Sequence, residues 1–238
     1  MDTKIFDFKF MISTIPQVMA YLPITLLIAV LSAVIALALG FLIAIARYFK
    51  IKILSPLCVL YVSYMRGTPV MVQLLLSYYG IPILLQMINA QTGTRLSVNG
   101  ISPVVFAVAA LAMNGAAYMS ETIRSAIQSV DYGQMEACLS VNMTTAQAMR
   151  RVILPQAFTT AIAPIGNTFI SLLKDTSLVF NISVVEIMTE AKIIGSRSFR
   201  FFEVYIAVSA IYWVCCIILE KLLAFMEKGA RKYERSAA

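Results

Sequence analysis

The sequence predicts an all-α integral membrane protein with about five transmembrane helices, its N-terminus outside and its C-terminus in the cytoplasm. Three observations carry this expectation. Of 238 residues, 60% are hydrophobic and 13% are charged, far from the balance of a water-soluble globule. The uncharged runs match the ~20 apolar residues needed to span the hydrocarbon of a bilayer. The lysines and arginines collect between alternate runs, as positive-inside topology requires.

The stretch from Phe10 to Ala46 contains no Asp, Glu, Lys or Arg. That is too long for the apolar core of a cleaved signal peptide, so it predicts a retained helix. Residues 1–20 read as an extracytoplasmic N-terminal segment, residues 21–225 as the transmembrane domain and residues 226–238 as a basic cytoplasmic tail. The first span runs from about Leu22 to Ala46. It carries Ala29, Ala33, Ala36, Gly40 and Ala44 at three- and four-residue spacings, a small-residue face where another helix packs closely. The second apolar run, from about Leu57 to Tyr79, is interrupted only by Arg66-Gly67-Thr68-Pro69, and polar residues then dominate from Gln86 to Ser102.

Span three runs from about Pro103 to Thr122. The segment from Arg124 to Arg151 is the longest polar stretch and keeps apolar residues at helical spacing, which predicts a structured loop. Span four follows Pro155, a residue suited to the first turn of a helix, and continues to about Leu173. Between Lys174 and Glu203, apolar pieces mix with charges, and this segment is expected to dip partly into the membrane. Span five covers Val204 to about Leu219, ahead of the basic tail.

Five spans put the two ends on opposite sides. Of the nineteen lysines and arginines, eleven fall on one side (Arg47, Lys50, Lys52, Arg124, Arg150, Arg151 and those from Lys221 onward), so the 124–151 loop and the tail are expected to face the cytoplasm. Lys4, Lys9, Arg95, Lys192, Arg197 and Arg200 fall on the other. The net charge of +7 is thus explained by topology rather than by nucleic-acid binding, and the tail suits anionic lipid.

Composition excludes several chemistries. There is no histidine, and Cys58, Cys138, Cys215 and Cys216 show no metal-ligand spacing, so no zinc site and no Ser/His or Cys/His pair is expected. No Gly-rich phosphate loop is present, so the chain is expected to be no enzyme and to hydrolyse no ATP by itself. Ionisable groups at membrane depth mark functional candidates. Arg66 lies either near mid-membrane or, if span two begins at Pro69, at the cytoplasmic surface. Asn114, Tyr118 and Glu121 share one helical face and line a route for a zwitterion, or else brace the helix, with Glu121 pairing Arg124 one turn on. Lys174 and Asp175 read as a structural pair or an extracellular partner contact, with direct substrate contact the alternative.

The loop of about residues 124–155 is more patterned than a tether. It holds Gly133-Gln134-Met135-Glu136-Ala137-Cys138, then Asn142, then Ile153-Leu154-Pro155. This resembles the EAA loop of permease subunits of ABC importers, with Glu136, Ala137, Ile153, Leu154 and Pro155 matching. Cys138 stands where alanine is usual and Asn142 where glycine is usual. Cysteine is small and buries well, and asparagine tolerates the left-handed backbone that glycine often supplies. Thr144 or Thr145 suits the N-cap of a second short helix. Arg66-Gly67-Thr68-Pro69 with Gln73 and Tyr78-Tyr79-Gly80, and Ser171 through Leu178, resemble the polar amino-acid branch of that family. Ser196-Arg197 and Tyr205 through Trp213 resemble its cystine-transporting members.

The resemblance implies a MetI-like type I importer domain in the bacterial cytoplasmic membrane, carrying a polar amino acid, cystine foremost, with glutamine, arginine, histidine or glutamate as alternatives. It implies a second permease copy or sister permease, two ATP-binding subunits that hold ATP and magnesium, an extracytoplasmic substrate-binding protein, and Gly133, Glu136, Ala137, Cys138, Asn142, Ile153, Leu154 and Pro155 as the ATPase-coupling residues. No cofactor is expected in this chain. An ion-coupled carrier using Arg66, Glu121, Lys174 and Asp175 is the rival reading, and it expects an internal duplication that the sequence lacks. A non-transporting scaffold is the third.

Overall fold

The structure is a computed structural model of the chain that describes residues 6–95 and 100–237, with side chains as far as residue 230. Lys4 and the side chains of Arg231, Lys232 and Arg235 lie outside the described residues. The chain is helical throughout, with no strand among the described residues. Helix α1 (Phe8–Met19) begins at Asp7, whose carboxylate caps the Phe10 amide, and turns at Ala20 and Tyr21 into α2 (Leu22–Tyr48). The charge-free N-terminal run is therefore two helices.

The expected second span is broken. Helix α3 (Leu54–Gly67) stops at Thr68, which is extended, and Pro69 is extended too. The residue before a proline is pushed out of helical geometry, and proline has no N–H to continue the ladder. The continuous span is instead 70–92: α4 (Val70–Leu75), a π turn (Leu76–Gly80) and α5 (Ile81–Thr92), reaching well into the segment that looked too polar to be helical. Gly93 ends it in the left-handed conformation.

Helix α6 (Pro103–Gln128) is the most buried long helix and packs along α2 in the most extensive helix pairing of the molecule. The small-residue face of α2 makes this possible. Ala36 and Ala44 are fully buried, Ala29 packs instead against Ile170, Leu173 and Cys216, and a Cβ on Gly40 would stand 3.0 Å from the Ala116 carbonyl oxygen and 3.1 Å from the Ser120 nitrogen. Those are backbone atoms of α6 and cannot give way cheaply.

The polar loop is structured, as its pattern predicts: α7 (Tyr132–Ser140), α8 (Thr145–Ala148) and a second π turn (Met149–Ile153) lead without a break into α9 (Leu154–Asp175). Each π turn lies just before a proline, Pro82 or Pro155, two residues into the following α-helix. A helical proline clashes with the carbonyl four residues back, here Tyr78 or Arg151, the middle residue of each turn. The wider π geometry at that point relieves the clash.

The 174–203 segment forms a 3₁₀ stretch (Thr176–Ile182) and helix α10 (Ile187–Ser198), after which α11 (Phe201–Ala237) closes the fold. Among the described residues, four helical segments are long and apolar enough to cross a bilayer: Leu22–Tyr48, Val70–Thr92, Pro103–Gln128 and Phe201–Ala230. Helix α9 has the length, 22 residues, but less apolarity, because Thr159, Thr160, Asn167, Thr168 and Ser171 interrupt it. At 1.5 Å per residue it is ~33 Å long, enough to span a ~30 Å hydrocarbon layer.

Candidate functional site

The break at Thr68-Pro69 leaves carbonyls at the end of α3 without helical partners, and in a membrane such groups must be satisfied from within the protein. Gln73, buried on α4, does this. Its side-chain amide nitrogen donates to the carbonyls of Met65 (2.9 Å) and Thr68 (3.1 Å) and to the Thr68 hydroxyl (2.8 Å). Its amide oxygen accepts from Asn114 Nδ2 at 2.9 Å, and that nitrogen lies 3.3 Å from the Met65 carbonyl. Asn114 is thus committed to bracing the break. The sequence shows Gln73 in its motif but not this task, which depends on a break that hydropathy ran across.

Beside this clasp lies a cavity of about 480 Å³ walled by the break (Thr68, Pro69, Val70), by Asn114, Gly115 and Tyr118 of α6, and by Asn167, Thr168, Ser171, Leu172 and Asp175 of α9. Arg66 is at the rim: it is exposed in the last turn of α3, with its guanidinium 5.5 Å from the centre of the Tyr118 ring. Lys174 points away and is exposed, and no ion pair joins it to Asp175 among the described residues. The expected Lys174–Asp175 pair is therefore absent there, because adjacent helical residues point about 100° apart. Asp175 is half-buried, faces the cavity and has no hydrogen-bond partner among the described residues.

Glu121 lies apart from that cavity. Its carboxylate pairs with Arg47 of α2 and with Arg124, whose Nη2 is 2.8 Å away. The helical spacing announces the Arg124 partner, whereas Arg47 is 74 residues distant and only the fold reveals it. Glu121 nonetheless borders a second hollow of about 430 Å³, shared with Thr122, Ser125 and Ser129 of α6 and with Thr160 and Pro164 of α9. The two hollows lie in sequence along the same two helices. Asn114, Tyr118, Glu121, Thr122, Ser125 and Ser129 follow one another at helical spacing on α6. Asp175, Ser171, Thr168, Asn167, Pro164 and Thr160 do so on α9. The α9 half escaped the sequence reading, although its polar residues recur at three and four in plain view.

At the end of α6 the chain turns into the patterned loop. Asp131 caps α7 by accepting the Gly133 amide at 2.8 Å. Met135 and Cys138 are buried against the protein, while Gly133, Glu136 and Ala137 face outward beside Tyr132, Leu139 and Val141, which are all exposed. An exposed apolar surface beside a carboxylate, on a helix whose other face is anchored, suits docking by a partner. Cys138 therefore faces away from the outer surface of α7. Asn142 has φ 58°, the left-handed conformation that its glycine-like position demands. The Met143 amide reaches back to the Cys138 carbonyl (3.1 Å) and the Asn142 amide to Leu139 (3.0 Å), a Schellman closure. Thr144 then opens α8 with a reciprocal capping box to Gln147. Ile153 is buried, Leu154 is half-buried and Pro155 is exposed where α9 begins.

A further polar centre lies outside the two hollows. Glu186, fully buried at the N-cap of α10, accepts from the Met188 and Thr189 amides and from the Thr25 and Tyr212 hydroxyls, fastening α2, α10 and α11 together. The sequence offers no sign of it beyond an acidic residue in an ambiguous segment.

A helical chain with membrane-length apolar helices, a polar file between two helices and an outward-facing short helix at the end of one of them has the layout of a transport subunit. The comparisons identify which kind. Residues 36–232 match the family described as binding-protein-dependent transport system inner membrane component, and the chain belongs to it. It is 42% identical to the probable amino-acid permease protein YxeN of Bacillus subtilis, covering 97% of this chain and 98% of that one. It is 39% identical to the L-cystine transport system permease protein TcyL of the same organism, over 96% and 93% of the two chains. Among solved structures, a crystal structure of an amino acid ABC transporter with histidines is 37% identical and superposes with a TM-score of 0.80, covering 94% of this chain and 98% of that chain. The fold is thus that of a type I ABC importer transmembrane domain, and the chain is a multi-pass integral membrane protein.

Proposed function

We propose that the chain is the permease subunit of an ABC importer for a polar amino acid and that the file of polar side chains between α6 and α9 is its share of the route. The observation that carries this is the pair of hollows in series, whose polar walls would be costly to place against lipid and suit a hydrated solute. Asp175, unpaired among the described residues, is the group for a substrate ammonium. Asn167, Thr168 and Ser171 offer neutral hydrogen bonds, and the Arg66–Tyr118 stack stands at the rim. A second permease copy or sister permease supplies the other wall.

Charge bias puts the 124–155 loop and the tail in the bacterial cytoplasm and the N-terminus outside. There the exposed face of α7, with Glu136 and Ala137, docks on one of two ATP-binding subunits that hold ATP and magnesium. An extracytoplasmic binding protein delivers the substrate from the other side. ATP-driven closure moves α7, and the path opens alternately to the two sides. The likeness to the L-cystine permease TcyL favours cystine, while glutamine, arginine, histidine or glutamate would use the same polar route.

The test is uptake into liposomes holding this chain with its ATPase and binding protein. Cystine uptake is expected only with all partners and ATP, and Asp175→Asn should lower it at least tenfold while ATPase binding persists. Uptake by the permease chain alone would favour a carrier instead. Full activity of Asp175→Asn would remove that residue from the path.

A further inference from the structure

A second, chemically different recess lies on the loop-end half of the molecule. About 570 Å³ in volume, it runs between α2 (Phe41) and α9 (Ala157, Phe158, Ala161), over Ala126 of α6. Its lining is apolar except at one end, where Arg150 closes it. The alanines hollow it out, since all three are nearly fully buried beneath Phe158, which is 61% exposed. On α9, Phe158 lies about 120° round the helix axis from Pro164 at ~100° per residue, whereas Ala157 and Ala161 lie about 20° and about 60° from it. The recess adjoins the second hollow, with which it shares Ala126, but includes none of that hollow's polar residues.

From Arg150 to Ile165, its far wall, is ~22 Å of helix rise, against the ~15 Å of hydrocarbon in one leaflet. Arg150 sits where the loop meets the membrane. Arg150 and Arg151 together line an adjoining hollow, and neither has a carboxylate partner among the described residues. An apolar slot long enough for an acyl chain of one leaflet, closed by Arg150 with Arg151 in the adjoining hollow and neither paired to a carboxylate among the described residues, fits a single kind of occupant. Basic pockets between transmembrane helices on the cytoplasmic side suit anionic headgroups, and arginine is the side chain whose fork matches phosphate.

We infer that this recess binds one anionic phospholipid of the cytoplasmic leaflet, with an acyl chain along Ala157, Ala161 and Phe158 and the phosphate at Arg150 and Arg151. A lipid held there touches both α2 and the π turn that joins the loop to α9, so its presence stiffens that joint. The inference depends on the membrane topology and not on which solute is carried.

The test titrates the delipidated full-length chain in detergent with dioleoylphosphatidylglycerol or dioleoylphosphatidylcholine and follows its melting temperature. The anionic lipid should raise it saturably at concentrations at least tenfold below those the zwitterionic lipid needs, and inorganic phosphate should have no effect. Arg150→Gln should weaken the anionic lipid at least fivefold, and Ala161→Leu, which fills the slot, should abolish the saturable response. Should Ala161→Leu fail to fold, a phosphatidylglycerol with a photoreactive acyl chain should label the wild-type chain between Leu154 and Ile165. Equal responses to the two lipids, an unchanged response in Arg150→Gln, or labelling elsewhere would overturn the site. So would a disulfide between Phe158→Cys residues of two copies, which would make the recess an interface between permeases.

Discussion

Two side chains show how single residues hold special backbone here. Gln73 spends its amide nitrogen on three oxygens around the Thr68-Pro69 break and its amide oxygen on Asn114. Replacing it by leucine strands those groups in a buried place, and an unsatisfied buried polar group costs ~1–3 kcal/mol. Gln73→Leu should therefore lower the thermal midpoint in detergent by several degrees, and Gln73→Glu should not restore it, because a carboxylate cannot donate to the carbonyls. Asn142 is the second case. With φ 58° it sits where a β-branched side chain is strained by ~1–2 kcal/mol. Asn142→Gly should be neutral or slightly stabilising and Asn142→Val destabilising, as read by the same melt. The left-handed role of Asn142 was legible in the sequence because a conformational preference belongs to the residue itself. The partners of Gln73 and Glu186 were not, since they arise only when distant segments meet.

Among the elements, the departures from expectation share a cause. Hydropathy averages over a window, so it joined α3 to α4 across Thr68-Pro69 and undervalued α5, whose end is polar but still helical. It also gave no sense of which face of α9 carries its hydroxyls. The proline pattern was readable in part. Pro155 marked the start of span four, but the π turn that accommodates it did not show, because only the helix's continuity through the proline makes a wider turn necessary. Pro155→Ala removes that necessity. If the turn relaxes to α-helix, α8 rotates about the axis of α9 by ~100°, one residue's worth. The expected outcome is an unchanged or higher melting temperature with fewer substrate molecules moved per ATP hydrolysed. A variant with wild-type coupling would show that the turn's phase does not matter.

Across the whole molecule, the crossings set which surfaces each compartment sees. The number of crossings follows from α2, the 70–92 span, α6, α9 and α11, the fourth recognisable from length rather than apolarity. Sidedness follows from charge. In a cysteine-free background, Glu136→Cys should react with a membrane-impermeant maleimide only in inside-out vesicles, and Phe199→Cys, 87% exposed between α10 and α11, only in right-side-out ones. Reaction of both from one side would mean a wrong count of spans. The end that holds the N-terminus is fastened by the Asp7–Arg200 pair at 2.6 Å and by Glu186, which ties three helices, and the loop end by apolar packing and the Glu121 pairs.

The joint between α7 and α8 is closed on both sides. Its Schellman closure and its capping box stand back to back, engaging the carbonyls of Cys138 and Leu139 and the amides of Asn142, Met143, Thr144 and Gln147. A slack connection would absorb a nanometre-scale tug in its own straightening. On the proposed coupling this one would act as a crank: torque applied to α7 by an attached motor would reach the foot of α9 and, through it, the wall of the proposed path.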